Sequence, residues 1–141
     1  MSSAPIRVVI DNNVFIRYLL KPSAAIRRLI EDLWLGDQIL VVSAPELFQE
    51  LREVLDRETI RAYIHSEEGL VLLEALQAKA EIYPALGAIP VYSRDPKDDK
   101  FIACAIIGQA SFLISEDRDL LALEEIEGIQ ILTPYDFLLN R

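Results

Sequence analysis

The chain has 141 residues, the size of one domain, and 52% of them are hydrophobic, which is ample for a packed core. No window approaches the ~18 consecutive apolar residues of a membrane span, and MSSAPIRVVIDNN lacks the charged stretch and apolar run of a signal peptide. With 23 acids against 14 bases the net charge is −9, which argues against nucleic-acid binding through bulk electrostatics; the lone Cys104 excludes an internal disulfide and suits a reducing cytoplasm.

Residues 6–10 (IRVVI) read as a buried parallel strand, short, continuous and β-branched. A helix over about 13–20 follows. Pro22 opens a second over about 23–35, with Leu29, Ile30, Leu33 and Trp34 at helical spacing and Gly36 as its C-cap. Trp34 is expected in the core. ILVV (39–42) is a second strand. Ser43-Ala44-Pro45-Glu46 reads as a capping box with proline in the first turn, starting a helix over about 44–55. Helices over about 58–64 and 67–81 come next, with His65 solvated at their junction. The proline-rich stretch 84–98 is a loop with room for a short strand at Val91-Tyr92. An apolar helix spans about 99–107 and stops at Gly108, with Cys104 as a small core group. FLIS (112–115) is a strand, 119–123 a short helix and IQIL (129–132) the last strand. Thr133-Pro134 caps a terminal helix ending near Asn140.

Strands alternating with helices predict one domain over residues 1–141, a three-layer α/β/α sandwich around a mainly parallel sheet of about five strands. Ligands of such sheets bind beyond the carboxyl ends of the strands, at the switch point. Asp11 and Asp117 fall just past strand ends. Asp11 can be a helix N-cap or a metal ligand, and Asn13 can hold a carboxylate or water; Asn12 is less clearly placed. At about 100° per residue, Glu50 lies roughly 60° from Leu47, nearer the apolar stripe of its helix than Glu46 or Glu53. Asp98 and Asp99 precede the apolar FIACAII, so one can cap that helix while the other faces the site. Asp95 before Pro96 is a turn residue, and Asp119 a cap for LLAL. Ser115 can hydrogen-bond a carboxylate or phosphate. Carboxylates near a core lose hydration; two at ~4 Å repel by about 1 kcal/mol in water and about 4 at an effective dielectric near 20. A shared divalent cation explains the pattern. Arg17, Arg94, Lys97, Lys100 and Arg118 can meet a phosphate or stand as solvated surface charges.

Taken together, IRVVIDNNVFIRYLL, SAPELFQELREVL, DPKDDKFIACAI, FLISEDRDLLAL and IQILTPYDFL resemble, in order and spacing over residues 6–139, the PIN-domain nucleases, and among them the toxins of toxin–antitoxin modules. The resemblance assigns the family's acids to Asp11, with its Asn on Asn13; to Glu50; to Asp99, because Ile102-Ala103 supplies the pair that follows; and to Asp117, with Ser115 as the hydroxyl. Asn12 stands where Thr is usual. Glu116 stands where Gly or a basic residue is common, and its charge could weaken substrate affinity or alter metal number. The resemblance implies a five-stranded parallel sheet with the first and fourth strands adjacent.

Oxygen ligands suit Mg²⁺ or Mn²⁺. Asp11, Asp99 and Asp117 are the expected metal ligands, and Glu50 joins them directly or through water. A bound ion would activate water and clamp phosphate oxygens; Glu50 is the candidate to orient or deprotonate that water. The implied activity is a cytoplasmic endoribonuclease acting on RNA, with a cognate antitoxin as partner; small members of the family often pair, and Phe15, Tyr18, Leu19 and Leu20 can either serve a homodimer or complete the core. Two other readings stand beside it. One is a catalytically inactive module binding RNA or protein. The other is a phosphatase using Asp11 as nucleophile, although such folds generally carry a second Asp where Asn13 stands.

Overall fold

The computed structural model describes residues 4–139. Six strands form one sheet: β1 (Ile6–Ile10), β2 (Ile39–Ser43), β3 (Glu81–Ile82), β4 (Phe112–Ile114), β5 (Glu125–Ile126) and β6 (Ile129–Leu132). Their spatial order is β3-β2-β1-β4-β6-β5. All pairings are parallel except β5 with β6. In the centre Val8 pairs with Val41 on one side and Phe112 on the other, and Ile10 pairs with Ile114. The expected adjacency of the 6–10 and 112–114 strands is therefore present. The chain leaves β1 towards β2 on one side and later returns to β4 on the other, which makes the β1/β4 boundary the switch point.

Alternate residues of β1 feed two cores, and this is why the strand reads as an unbroken apolar run. Val8 and Ile10 pack with α1 (Asn12–Leu20), α2 (Ala24–Arg27), the π-helical segment Arg28–Trp34, α5 (Ser66–Lys79) and α8 (Pro134–Leu139). Val9 packs with α6 (Asp99–Ile107), α7 (Arg118–Leu121) and Ile129 and Ile131 of β6. The third helix, α3 (Pro45–Leu55), gives Leu51 to the first core and Leu47 to the second, so it straddles the carboxyl end of the sheet. The short α4 (Glu58–Arg61) follows it. Trp34 is buried edge-to-face against Phe15, with ring centroids 5.6 Å apart. Burial pushes the Cys104 thiol up to about 12, aided by Glu46, which leaves it an inert core group. No helix among the described residues is long and apolar enough to cross a membrane.

The structure departs from the sequence expectation at six points. The second helix widens to i→i+5 bonding, with Leu35 N–H donating to the Ile30 carbonyl at 2.9 Å, and Leu29, Ile30, Leu33 and Trp34 all reach the core. Its left-handed terminator is Asp37 (φ 61°), one residue after the expected Gly36. Gly36 is still required, because a Cβ there would sit 2.1 Å from the Asp32 carbonyl oxygen. The capping box does not form: Ser43 belongs to β2, Ala44 is the N-cap, and Glu46 reaches out to accept the Leu86 N–H at 2.7 Å. The strands β3 and β5, two residues each, were not foreseen, while Val91-Tyr92 forms none. The expected 58–64 helix stops at Arg61. The predicted end of the last helix near Asn140 falls outside the described residues.

Arg7 ties β3 to the sheet. Its guanidinium donates to Glu81 at 2.6 Å, to the Tyr83 hydroxyl at 2.6 Å and to the Gly108 carbonyl at 2.8 Å. The close approach at Gly108 admits no side chain, since a Cβ would lie 2.3 Å from Val42 Cγ1.

Candidate metal centre

The β1/β4 ladder continues one step past β1, where the Asp11 N–H donates to the Ile114 carbonyl at 2.9 Å. This carries Asp11 to the carboxyl edge of the sheet, 2% exposed. One of its oxygens accepts the Asn13 N–H at 3.1 Å, the N-cap bond of α1. The other accepts the Ser115 hydroxyl at 2.8 Å. Ser115, fully buried after β4, in turn accepts the Asp117 N–H at 2.9 Å. The serine thus links the first acid to the loop that carries the last one. Asp117 caps α7 by accepting the Asp119 and Leu120 N–H groups at 2.8 and 3.3 Å, the cap role expected of Asp119.

The two neighbours at the start of α6 have opposite environments. Asp99, expected as a metal ligand, accepts three bonds on its Oδ1: from Tyr92 N–H (3.2 Å), Ser93 N–H (2.8 Å) and the Ser93 hydroxyl (2.8 Å). That oxygen fastens the proline-rich loop to the helix; Asp99 and Asp119 both stand behind the residues that line the cleft. Asp98 faces the cleft at 7% exposure, and its Oδ2 is buried with no hydrogen-bond partner among the described residues. Its carboxyl is pushed up to about 7, first by burial and then by Asp117, Asp11, Asp95 and Asp119. Oxygens of Asp98, Asp117 and Asp119 lie within 4.8 Å of one another. The Ile-Ala spacing cannot register this difference of environment, which is decided by where the 3₁₀ turn Pro96–Asp98 enters the helix.

Glu50 also lines the cleft, which has a volume of about 920 Å³. It is paired with Lys100 and accepts the Asn12 side-chain amide at 3.2 Å. Asn12 is itself buried and donates to the Leu47 carbonyl at 2.9 Å, so it locks α1 to α3. In sequence Asn12 is the less clearly placed of the two and Asn13 the one whose amide can hold a carboxylate or water; here Asn13 is exposed and contributes its backbone N–H. Burial raises the Asp11 pKa above the ordinary carboxylate range, against the lowering by Ser115 and Asn13; Asp117 raises it further and Lys100 lowers it. Two acids ranked low in the sequence, Glu46 and Glu53, line the same space.

The basic residues divide. Arg17 pairs with Glu116 at the surface, one guanidinium nitrogen lying 2.6 and 2.7 Å from its two oxygens. The same pair neutralises the unusual acid at 116. Arg94 and Arg118 are exposed outside the cleft lining, whereas Lys100 lines it together with Lys97 and Arg57. No sequence signal marked Arg57, whose place follows from the turn between α3 and α4.

A mainly parallel α/β/α domain with a carboxylate cleft at its switch point, fit for a hard divalent cation, is the class this geometry defines. The chain belongs to the PIN domain family, whose family model matches residues 7–119. It is 28% identical over 127 residues, 89% of this chain and 79% of the relative, to the uncharacterized protein MJ1680 of Methanocaldococcus jannaschii. Its fold is similar to that of VapBC2 from Rickettsia felis, solved bound to a DNA fragment from their promoter, with a TM-score of 0.60 at 12% identity over 89% of this chain and 97% of that one. It is also similar to the PIN domain of human SMG5, with a TM-score of 0.51 at 14% identity over 95% and 97% of the two chains.

Proposed function

We propose that this chain is a Mg²⁺- or Mn²⁺-dependent endoribonuclease, the toxin of a type II toxin–antitoxin module, acting in the cytoplasm. The observation that carries this reading is the buried, unpartnered oxygen of Asp98 beside Asp117 and Asp119 at the sheet's switch point. An unsatisfied buried acceptor costs about 1–3 kcal/mol, and oxygens alone suit a hard cation. Asp98, Asp117 and Asp119 would hold the ion, and Asp11 adds its charge to the same cleft. Bound there, a divalent ion neutralises charge on a phosphodiester and acidifies water. Ser115 keeps Asp11 and the Asp117 loop in register. Glu50, fixed by Asn12 and Lys100, is the acceptor available to orient the attacking water. Lys97 and Arg57 are the cleft cations available to flanking phosphates, which gives an acidic protein a local basic rim. Membership in the PIN family supports nuclease chemistry, and the likeness to VapBC2 supports an antitoxin as protein partner. The aspartyl-phosphate alternative lacks the second carboxylate that such folds generally carry two residues after the nucleophile, where Asn13 stands.

The test is incubation of the full chain with end-labelled single-stranded RNA in Mg²⁺ or Mn²⁺, with a parallel EDTA sample. Cleavage is expected with metal only, and is lost in Asp98→Asn and Asp117→Asn. Cleavage that survives chelation, or is undiminished in both variants, refutes the proposal. RNA binding without cleavage in Mn²⁺ favours the inactive binding module.

A further inference from the structure

Two grooves flank α5, and their charges differ. One lies between α5, α1 and the π-helical segment and has a volume of about 590 Å³. It carries Glu31, Glu67 and Glu68 against Arg27 alone, so it repels a phosphate. The other lies between α3, α4 and α5 and has a volume of about 660 Å³. Its floor is apolar, built from Leu55, Ile64, Gly69, Leu70 and Leu73, and Leu70 is left 58% exposed there. Its rim carries Arg52, Arg61 and His65 against Glu53 and Asp56.

This second groove is continuous with the carboxylate cleft. Gln49 and Glu53, one turn apart on α3 and both exposed, line both spaces and form the ridge between them. The Gln49 amide donates to Glu53 Oε1 at 3.1 Å, which occupies one oxygen of the ridge's acid. Arg57 lines the cleft side and Arg52 the groove side, and neither pairs with a carboxylate among the described residues. Arg61 lies 3.8 Å from Asp56 in a solvent-exposed pair, which is weak, so its guanidinium stays available to an anion. Single strands bind where cations track the backbone and side chains meet the bases. The exposed His65 ring is a plane of the kind on which unstacked bases lie.

We propose that the groove between α3 and α5 is a second site for the substrate strand, taking nucleotides to one side of the scissile bond after the strand crosses the Gln49–Glu53 ridge. Arg52 and Arg61 hold its phosphates, and His65 and Leu70 meet its bases. This deepens the nuclease reading and rests on it. The occupant is single-stranded RNA, because the strand must bend over α3 to lie in both spaces and a duplex is too stiff to do so.

The experiment is fluorescence anisotropy of the full chain in Mg²⁺ with an uncleavable RNA decamer, over a range of salt concentrations. The double variant Arg52→Ala, Arg61→Ala is expected to bind more weakly, with a salt slope shallower by about 1.4, since each single-strand phosphate contact contributes about 0.7. Both arginines are exposed, so the variant is expected to fold and to keep the Mn²⁺-induced rise in melting temperature. Arg27→Ala, in the acidic groove, is expected to match wild type. A photoreactive 4-thiouridine walked along the decamer is expected to cross-link to residues 61–73 from one end only. Cross-links confined to the cleft, or an equal change of slope in Arg27→Ala, overturn the proposal. So does an unchanged slope in the double variant, which leaves the groove to a protein partner. The two readings fail separately. Binding that weakens in the double variant, with no cleavage of ordinary RNA by wild type, keeps the groove and refutes the nuclease; cleavage with an unchanged slope does the reverse.

Discussion

Replacing Asp98 by Asn is expected to stabilise the metal-free protein and to abolish its response to metal. The Asp98 carboxyl moves from an ordinary 3.8 to about 7, chiefly through burial and then through Asp117 and Asp11. A folded-state pKa above the unfolded one means that the fold prefers the neutral acid. That preference stabilises fully below the unfolded value and is lost as pH rises towards about 7. About three pKa units at ~1.4 kcal/mol each give about 4 kcal/mol in a dry site, and the open cleft screens this to about 2. For a domain of this size that is about 6 °C in melting temperature. In EDTA at pH 7.5, Asp98→Asn is therefore expected to melt about 6 °C above wild type, and at pH 5 the gap should shrink to less than half. Saturating Mn²⁺ should raise wild type by about 2.7 kcal/mol at a hundredfold excess over Kd and leave the variant nearly unmoved. Differential scanning calorimetry at the two pH values, with and without Mn²⁺, reads all four quantities. A variant no more stable than wild type at pH 7.5, or a gap unchanged at pH 5, refutes the claim that this carboxylate is held against its own charge.

Asp99→Asn is expected to keep the Mn²⁺-induced rise in melting temperature while loosening the 91–93 loop; abolition of the rise would restore Asp99 as a ligand. Ser115→Ala leaves a buried Asp11 oxygen without its donor and the Asp117 N–H without its acceptor, so urea melts should show a loss of roughly 1–3 kcal/mol. An unchanged midpoint would mean that the serine does not join the two loops energetically. Arg57→Ala and Lys97→Ala are expected to weaken RNA binding and to lower the salt slope by about one unit each, measured by fluorescence anisotropy on an uncleavable RNA; Arg17→Ala should leave that slope alone. Equal slopes for all three variants would remove Arg57 and Lys97 from the binding surface.

Much of the fold was legible because strong local signals agreed with one another. IRVVI, ILVV and IQIL are short β-branched runs and are strands. FIACAII is apolar all round and is the buried helix α6. The π-widening at Arg28–Trp34 was not legible, because seven residues cannot distinguish 3.6 from 4.4 residues per turn by their apolar spacing. Neither were β3 and β5, since two residues carry no periodicity and become strands only when a neighbour supplies the ladder. Phe15, offered in sequence as a dimer contact, completes the core against Trp34, while Leu20 remains exposed.

The sequence by itself determined an α/β layering, acids just past two strand ends, and a donor set of oxygens without histidine or cysteine. Composition and local period suffice for these, because each is a property of a few neighbouring residues. Tertiary structure alone decided that Asp98 keeps a buried oxygen without a hydrogen bond while Asp99 holds the Ser93 loop, that Asn12 and Lys100 hold Glu50, and that Arg17 pairs with Glu116. Those outcomes depend on where side chains separated by 38, 50 or 99 positions come to rest. Burial and proximity, which set the cost of each charge, exist only once the chain has packed.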